Sequence, residues 1–146
     1  MATSNAATTY LEHRLLNFIF KNNAALGGVT FASPGDSIYV GLATAVSDAE
    51  AGSLTEATFG NYQRKQIVAA DWTLASSSTD QQTIKNTNQF EFPASTGTTN
   101  TVTHAFIADA ASGGNILFIG ALDASKTIAT GDVFRINSNN LTIELK

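Results

Sequence analysis

The C-terminal part of the chain, residues 90–146, alternates short apolar runs with turn-forming residues. Clusters of Gly, Asn, Asp, Ser and Thr recur there about every ten residues, a spacing typical of antiparallel β-sandwiches and barrels. The segment DAASGGN at 109–115 separates two apolar runs and predicts a hairpin loop in which Gly113 and Gly114 adopt positive φ. Gly131-Asp132 and Asn139-Asn140 predict the turns before the last two strands. This pattern favours a mainly β fold for this half of the chain.

One amphipathic helix is predicted ahead of the strands, over about residues 9–22. Thr9 and Glu12 match the capping-box pattern, in which a hydroxyl and a carboxylate each satisfy a backbone N–H at the helix start. The apolar stripe of this helix includes Leu11, Leu15 and Phe18. Such a stripe must be covered, either by the sheet of the same domain or by a neighbouring subunit.

The middle of the chain predicts further strands and one long polar loop. Strands are predicted at 37–42, 62–69, 72–74, 83–88, 89–92, 102–108, 116–122, 133–136 and 141–145. Neither a tandem repeat nor a linker divides the sequence, so we expect one structural domain over 1–146, with a single antiparallel β-sandwich, or a barrel-like fold, over about 37–145.

The predicted loop covers about residues 43–61, which contain few large apolar side chains. A loop of this length is uncommon inside a compact domain and is often functional. It is therefore the candidate arm for contact with a neighbouring subunit. The candidate contact residues in the arm are Asp48, Glu50, Leu54 and Glu56.

The composition restricts the classes of partner. Charged residues make up 14% of the chain, against about 25% in typical soluble domains. Two explanations are open: an all-β surface rich in Thr and Ser, or a surface buried extensively against other subunits. The net charge of −4 gives no broad basic surface for nucleic acid. The one tight basic pair, Arg64-Lys65, is explained by an exposed strand end as well as by a phosphate contact. The apolar run at 15–20 is too short to span a membrane.

The sequence offers little catalytic chemistry. His13 and His104 are the two histidines, and neither lies in a metal-ligand motif, so His104 is interpreted as a satisfied structural residue. Cysteine is absent, and no nucleophile elbow is present. We therefore expect no enzyme activity, no metal and no cofactor. Trp72 is interpreted as a core residue, with a sugar-stacking role as the alternative.

Several short motifs in sequential order resemble those of a known family. They are Tyr10-Leu11-Glu12, Tyr39-Val40-Gly41-Leu42, Tyr62-Gln63-Arg64, Trp72, Phe92-Pro93, Thr101-Val102-Thr103-His104, Gly113-Gly114-Asn115-Ile116-Leu117, Gly120-Ala121-Leu122, Gly131-Asp132 and Leu141-Thr142-Ile143. In this order the chain, from about Thr9 to Leu145, is similar to small tailed-phage virion proteins, which are often labelled tail-fibre or minor structural proteins. The resemblance implies a part of the virion.

These observations lead to the hypothesis of a non-catalytic structural protein of the virion, assembled in the host cytoplasm. A capsid decoration (cement) protein is preferred, because the chain is small, carries little charge and offers the helix and the arm for docking. A tail-fibre, tail-tip or neck component is the alternative in the same class, and a host-glycan-binding module using Trp72 is the alternative in another. The expected partners are the major capsid protein or tail proteins and further copies of the chain, with a trimer favoured. Neither nucleic acid nor a membrane is expected as a partner.

Overall fold

A computed structural model describes residues 6–16, 38–74 and 82–145. Within these ranges the chain forms one α-helix and eleven strands, and the strand pairs are antiparallel. The elements are β1 (Ala6–Ala7), α1 (Thr9–Leu16), β2 (Ile38–Asp48), β3 (Ser53–Glu56), β4 (Lys65–Ile67), β5 (Trp72–Leu74), β6 (Gln82–Asn86), β7 (Phe90–Glu91), β8 (Asn100–Ala108), β9 (Ile116–Ile128), β10 (Arg135–Ile136) and β11 (Thr142–Leu145). A 3-10 turn, Ala69–Asp71, precedes β5.

The strands form three sheets. The largest has the order β1-β9-β8-β2, and the far edge of β2 pairs with β4 along its first residues and with β3 along its last. The second sheet contains β7 and β10, and the third has the order β11-β6-β5. The predicted mainly β class is confirmed, with antiparallel sheets that include a half-barrel and one short N-terminal helix.

The large sheet carries apolar side chains on both faces. Successive residues of a strand point to opposite faces, so Val40 and Leu42 join one buried cluster while Ala43 joins another. The main cluster also contains Phe90 and Ile136 of the second sheet, so the smaller sheets pack on this face. The second cluster consists of Ala43, Ala49, Phe106, Ala108 and Ile119.

The second face is built around a close contact between Gly41 and Phe106. These residues lie directly opposite each other in the β2–β8 pair. A Cβ atom on Gly41 would lie 2.1 Å from the ring carbon Cζ of Phe106, so the ring occupies the space that any larger residue would need. Phe106 is 1% exposed. Gly41 is therefore required for packing rather than for a turn.

The predicted loop at 43–61 is wrong in its first part. β2 continues to Asp48 and returns as β3, so this stretch is a β-hairpin. Two irregularities in the register, between Ala43 and Ala45 and between Val46 and Asp48, accompany the hairpin. They place Val46 and Leu54 against the second cluster. The small and polar residues of this hairpin show no strong apolar periodicity, although four residue pairs join its two strands.

The other predicted strands each coincide with an observed strand within a few residues, but β9 extends six residues further than predicted. The loop at 109–115 is confirmed as the β8–β9 connection, with φ of 61° at Gly113 and 69° at Gly114. Asp109 stabilises it, since its Oδ1 accepts a hydrogen bond from the Asn115 N–H at 2.7 Å. Residues 75–81, like residues 17–22 of the predicted helix, lie outside the described residues.

Asn86 fixes the third sheet to the turn before β11. Its side chain is 1% exposed, yet each hydrogen-bonding group is satisfied. Oδ1 accepts from the Leu141 N–H at 2.9 Å, and Nδ2 donates to the carbonyls of Asn88 at 2.7 Å and Asn137 at 2.8 Å. These bonds replace the hydrogen bonds that the amide would make with water in the unfolded chain. The buried amide therefore stabilises the turn that contains Asn137, which is 51 residues away from Asn86 in sequence.

We predict that Gly41→Ala destabilises the fold by about 1–3 kcal/mol or more, because the new methyl group overlaps the Phe106 ring. Gly120→Ala is the matched control: it is a strand glycine of the same sheet with no atom within 4 Å of a new Cβ, and it should be neutral or slightly stabilising. Urea denaturation of both variants measures the difference. Adding Phe106→Leu to Gly41→Ala should restore part of the loss, and equal stability of the two single glycine variants would contradict the packing argument.

Candidate partner-binding surface

The start of helix α1 is held by Thr8, which is 1% exposed. Its Oγ1 accepts a hydrogen bond from the Leu11 N–H at 3.3 Å and donates one to the Ile116 carbonyl of β9 at 2.7 Å. Its backbone N–H donates to the Leu117 carbonyl at 2.9 Å. Thr8 is thus the capping residue, and the capping box predicted for Thr9 and Glu12 is wrong by one position. Together with the pairing of β1 with β9, this residue anchors the start of the helix to β9.

The tip of the β2–β3 hairpin lies beside the same helix start. The Thr9 N–H donates a hydrogen bond to the Glu50 carbonyl at 2.9 Å. At the tip, Asp48 Oδ1 accepts from the Ala51 N–H at 3.1 Å, and Gly52 has a φ of 70°. Helix α1 and the hairpin, which were expected from the sequence to be two separate docking elements, are therefore connected in the structure.

The exposed residues of these two elements include Glu12, Leu15, Asp48 and Glu50, which we call the α1–hairpin surface. Leu15 is 41% exposed, although leucine is usually buried. The three carboxylates give the surface a negative character. The surface therefore combines one exposed apolar side chain with carboxylates that would attract a basic partner.

Three of the remaining predicted contact residues serve the fold itself. Leu11 is half-buried and packs on the main cluster, and Leu54 packs on the second cluster. Glu56 forms an ion pair with Arg64. Phe18 lies outside the described residues. Of the seven candidates, Leu15, Asp48 and Glu50 are thus exposed on the surface that the structure describes.

Glu56 belongs to a buried polar network that the sequence did not reveal. Arg64 donates from Nε to Oε1 and from Nη2 to Oε2 of Glu56, both at 2.8 Å, and its side chain is 4% exposed. The hydroxyl of Tyr62 donates to Glu56 Oε1 and accepts from the Leu42 N–H, each at 2.9 Å. Burial, assisted by the Glu56 carboxylate, raises the pKa of Tyr62. Hydrogen bonding to Glu56 likewise raises the pKa of Arg64, so the cation is retained.

The exposed strand end suggested for Arg64 is therefore wrong, although it holds for Lys65. Arg64 also donates to the carbonyls of Ala110 at 2.7 Å and Gly113 at 2.8 Å, in the β8–β9 loop. No spacing in the sequence identifies this set, because its members are brought together by the pairing of β2 with β3 and β8.

Trp72 is half-buried and packs against the main cluster, as expected of a core residue. A second surface feature, a groove of about 990 Å³, lies between the segments 63–67 and 88–94. Its lining combines amide side chains, such as Gln63 and Gln89, with the exposed Val133.

Within the described ranges, no three His, Cys, Asp or Glu side chains are placed to hold a metal ion. In the same residues, no helix is long and apolar enough to cross a membrane.

We predict that Thr8→Val, which keeps the shape but removes the hydroxyl, lowers the free energy of unfolding by about 1–2 kcal/mol. The loss arises because the Leu11 N–H and the Ile116 carbonyl lose their partner. Thr8→Ser retains both bonds and should stay close to the parent protein. Hydrogen exchange at the α1 amides should increase in the valine variant alone, and equal behaviour of the two variants would exclude the capping role.

Comparison of the chain with known proteins identifies a family whose model matches it. No curated protein sequence matches the chain. A family model described as "Podophage GP4 fiber I protein gp80" matches residues 6–144, which includes the residues of the three sheets up to Glu144. Because the match extends over most of the sequence, the chain belongs to this family of phage fibre proteins.

Proposed function

We propose that the protein is a structural component of a tail fibre in a tailed-phage virion, and that it acts by binding other virion proteins. The observation that carries this proposal is the family match over residues 6–144, whose description names a fibre protein. A structural role in the virion follows from the family, and it implies a non-enzymatic function. The fibre assignment goes one step further and rests on the family's description.

The family description supports the tail-fibre alternative better than the capsid-decoration hypothesis. Decoration was favoured by the small size, the low charge and two docking elements, the helix and the arm. The first part of the arm is in fact a paired hairpin that packs on the second cluster, which weakens the third of these supports. Low charge content is equally compatible with subunit contacts in a fibre. The half-buried position of Trp72 in the core gives the glycan-binding alternative no specific support.

The location on the particle tests this proposal directly. Immunogold labelling of intact virions should place the protein on the tail appendages, and mass spectrometry should find far fewer copies than of the major capsid protein. Labelling over the whole head with near-equal copy numbers would instead establish a decoration protein. Absence from purified particles would overturn the structural role itself.

We further propose that the α1–hairpin surface contacts another virion protein, with Leu15 as its apolar centre. Full burial of a leucine side chain contributes about 1.5–3 kcal/mol. Because Leu15 is 41% exposed, covering it contributes about 0.6–1.2 kcal/mol, so Leu15→Ser should weaken incorporation into particles by about three- to eightfold. Particles assembled with the variant supplied in trans, followed by quantitative blotting of the sedimented fraction, measure this loss.

Val133→Ser is the matched control, because Val133 is 45% exposed against 41% for Leu15 but lies in the groove. We expect it to be incorporated normally. Loss of incorporation with Val133→Ser alone would move the contact to the groove, and normal incorporation of both variants would refute the proposed surface. Circular dichroism of both variants confirms that the fold is retained. The expected homo-oligomer, a trimer foremost, remains a prediction for light scattering in solution.

A further inference from the structure

His104 occupies a central position in the large sheet. It lies on β8 and is paired across the sheet with Ala43 of β2 and Ala121 of β9. The alternation along the strand places it on the face that carries Phe106. The register of β8 against β9 shifts between Val102 and His104, and the side chain is half-buried.

The hydrogen bonds around His104 define its tautomer. The Thr103 hydroxyl lies 3.2 Å from the Thr44 carbonyl and 2.8 Å from His104 Nδ1. We assign the one hydroxyl proton to the Thr44 carbonyl, which can only accept, so that the hydroxyl accepts a hydrogen bond from Nδ1. Nδ1 therefore carries the proton of the neutral ring, and Nε2 presents a bare lone pair. Nε2 is buried and has no hydrogen-bond partner, so the expectation of a fully satisfied histidine is wrong for this nitrogen.

The surroundings contain no anion directed at Nε2 in the part of the chain that the structure describes. The residues paired with His104, Ala43 and Ala121, are uncharged. On the same face, Glu56 of β3 lies beyond Ala43 and is engaged by Arg64 and Tyr62. From β9, Asp123 and Lys126 are exposed to solvent. Burial accordingly lowers the pKa of His104 below its ordinary value of 6.5.

We propose that His104 makes the large sheet acid-sensitive: a proton on Nε2 creates a buried, unpaired cation that weakens the pairing of β8 with β2 and β9. The neutral ring leaves one buried acceptor without a partner, whereas a charged ring without a counter-ion is disfavoured more strongly in a buried position. The unfolded chain protonates near its ordinary pKa of 6.5, while the folded chain resists protonation. The stability is therefore complete above pH 6.5 and is lost as the pH falls from 6.5 towards the lowered pKa of the folded state.

Denaturation in urea from pH 8 to pH 5 tests this proposal. Below pH 6.5 the unfolding equilibrium constant should rise by up to about tenfold per pH unit, until the folded-state pKa is reached. His104→Gln should remove this dependence, and His13→Gln, the control at the other histidine, should retain it. A flat profile for the parent protein between pH 7 and pH 5, or a dependence that follows His13, would overturn the proposal.

A second measurement does not depend on whether the His104 variant folds. Nitrogen-15 NMR of the histidine rings in the parent protein should show a protonated Nδ1 and a bare Nε2 for His104, with a pKa below 6.5. A proton on Nε2 at neutral pH, or a pKa at or above 6.5, would refute the assigned tautomer and with it the acid sensitivity.

Discussion

The buried guanidinium of Arg64 connects parts of the chain that are distant in sequence. It binds Glu56 at the end of β3 and two carbonyls of the β8–β9 loop, and it lies 5.0 Å from the centre of the Phe106 ring. A buried charge is tolerated only when it is paired and its donors are satisfied, so this position fixes the hairpin, the loop and the ring together. Removal of Glu56 would leave the Arg64 guanidinium, whose side chain is 4% exposed, buried without its carboxylate partner.

That arrangement is possible because the second face of the sheet is lined by small residues. Gly41 leaves room for the Phe106 ring, and the small side chains of Ala43 and Ala108 occupy little space beside it. The ring then supports the guanidinium, which in turn closes the face from solvent. Phe106 is consequently almost fully buried although it points away from the main core. Around Phe106, small residues, the aromatic ring and the guanidinium thus pack closely against one another.

The same hairpin that closes this face also reaches the N-terminal helix. Glu50 at its tip accepts a hydrogen bond from Thr9, and Thr8 ties the helix to β9. The α1–hairpin surface is therefore carried by the rigid large sheet and not by an independent arm. A surface held in this way loses little conformational freedom on binding, which suits a structural contact in a virion. In this protein, the elements that stabilise the fold also position its candidate contact.

Local sequence patterns were sufficient to predict the mainly β class, the β8–β9 hairpin and the existence of the N-terminal helix. These features depend on local chemistry: Gly113 and Gly114 permit positive φ, and the apolar stripe of α1 follows helical spacing. Family membership was also accessible from short motifs in order. The other features of the fold depend on tertiary contacts. β3 and the end of β9 are polar strands that are held by backbone pairing with neighbouring strands. The sequence allowed either Thr8 or Thr9 to cap the helix, and the structure places Thr8 there. The burial of Arg64 and the unpaired Nε2 of His104 depend on contacts between distant segments, which no local pattern encodes.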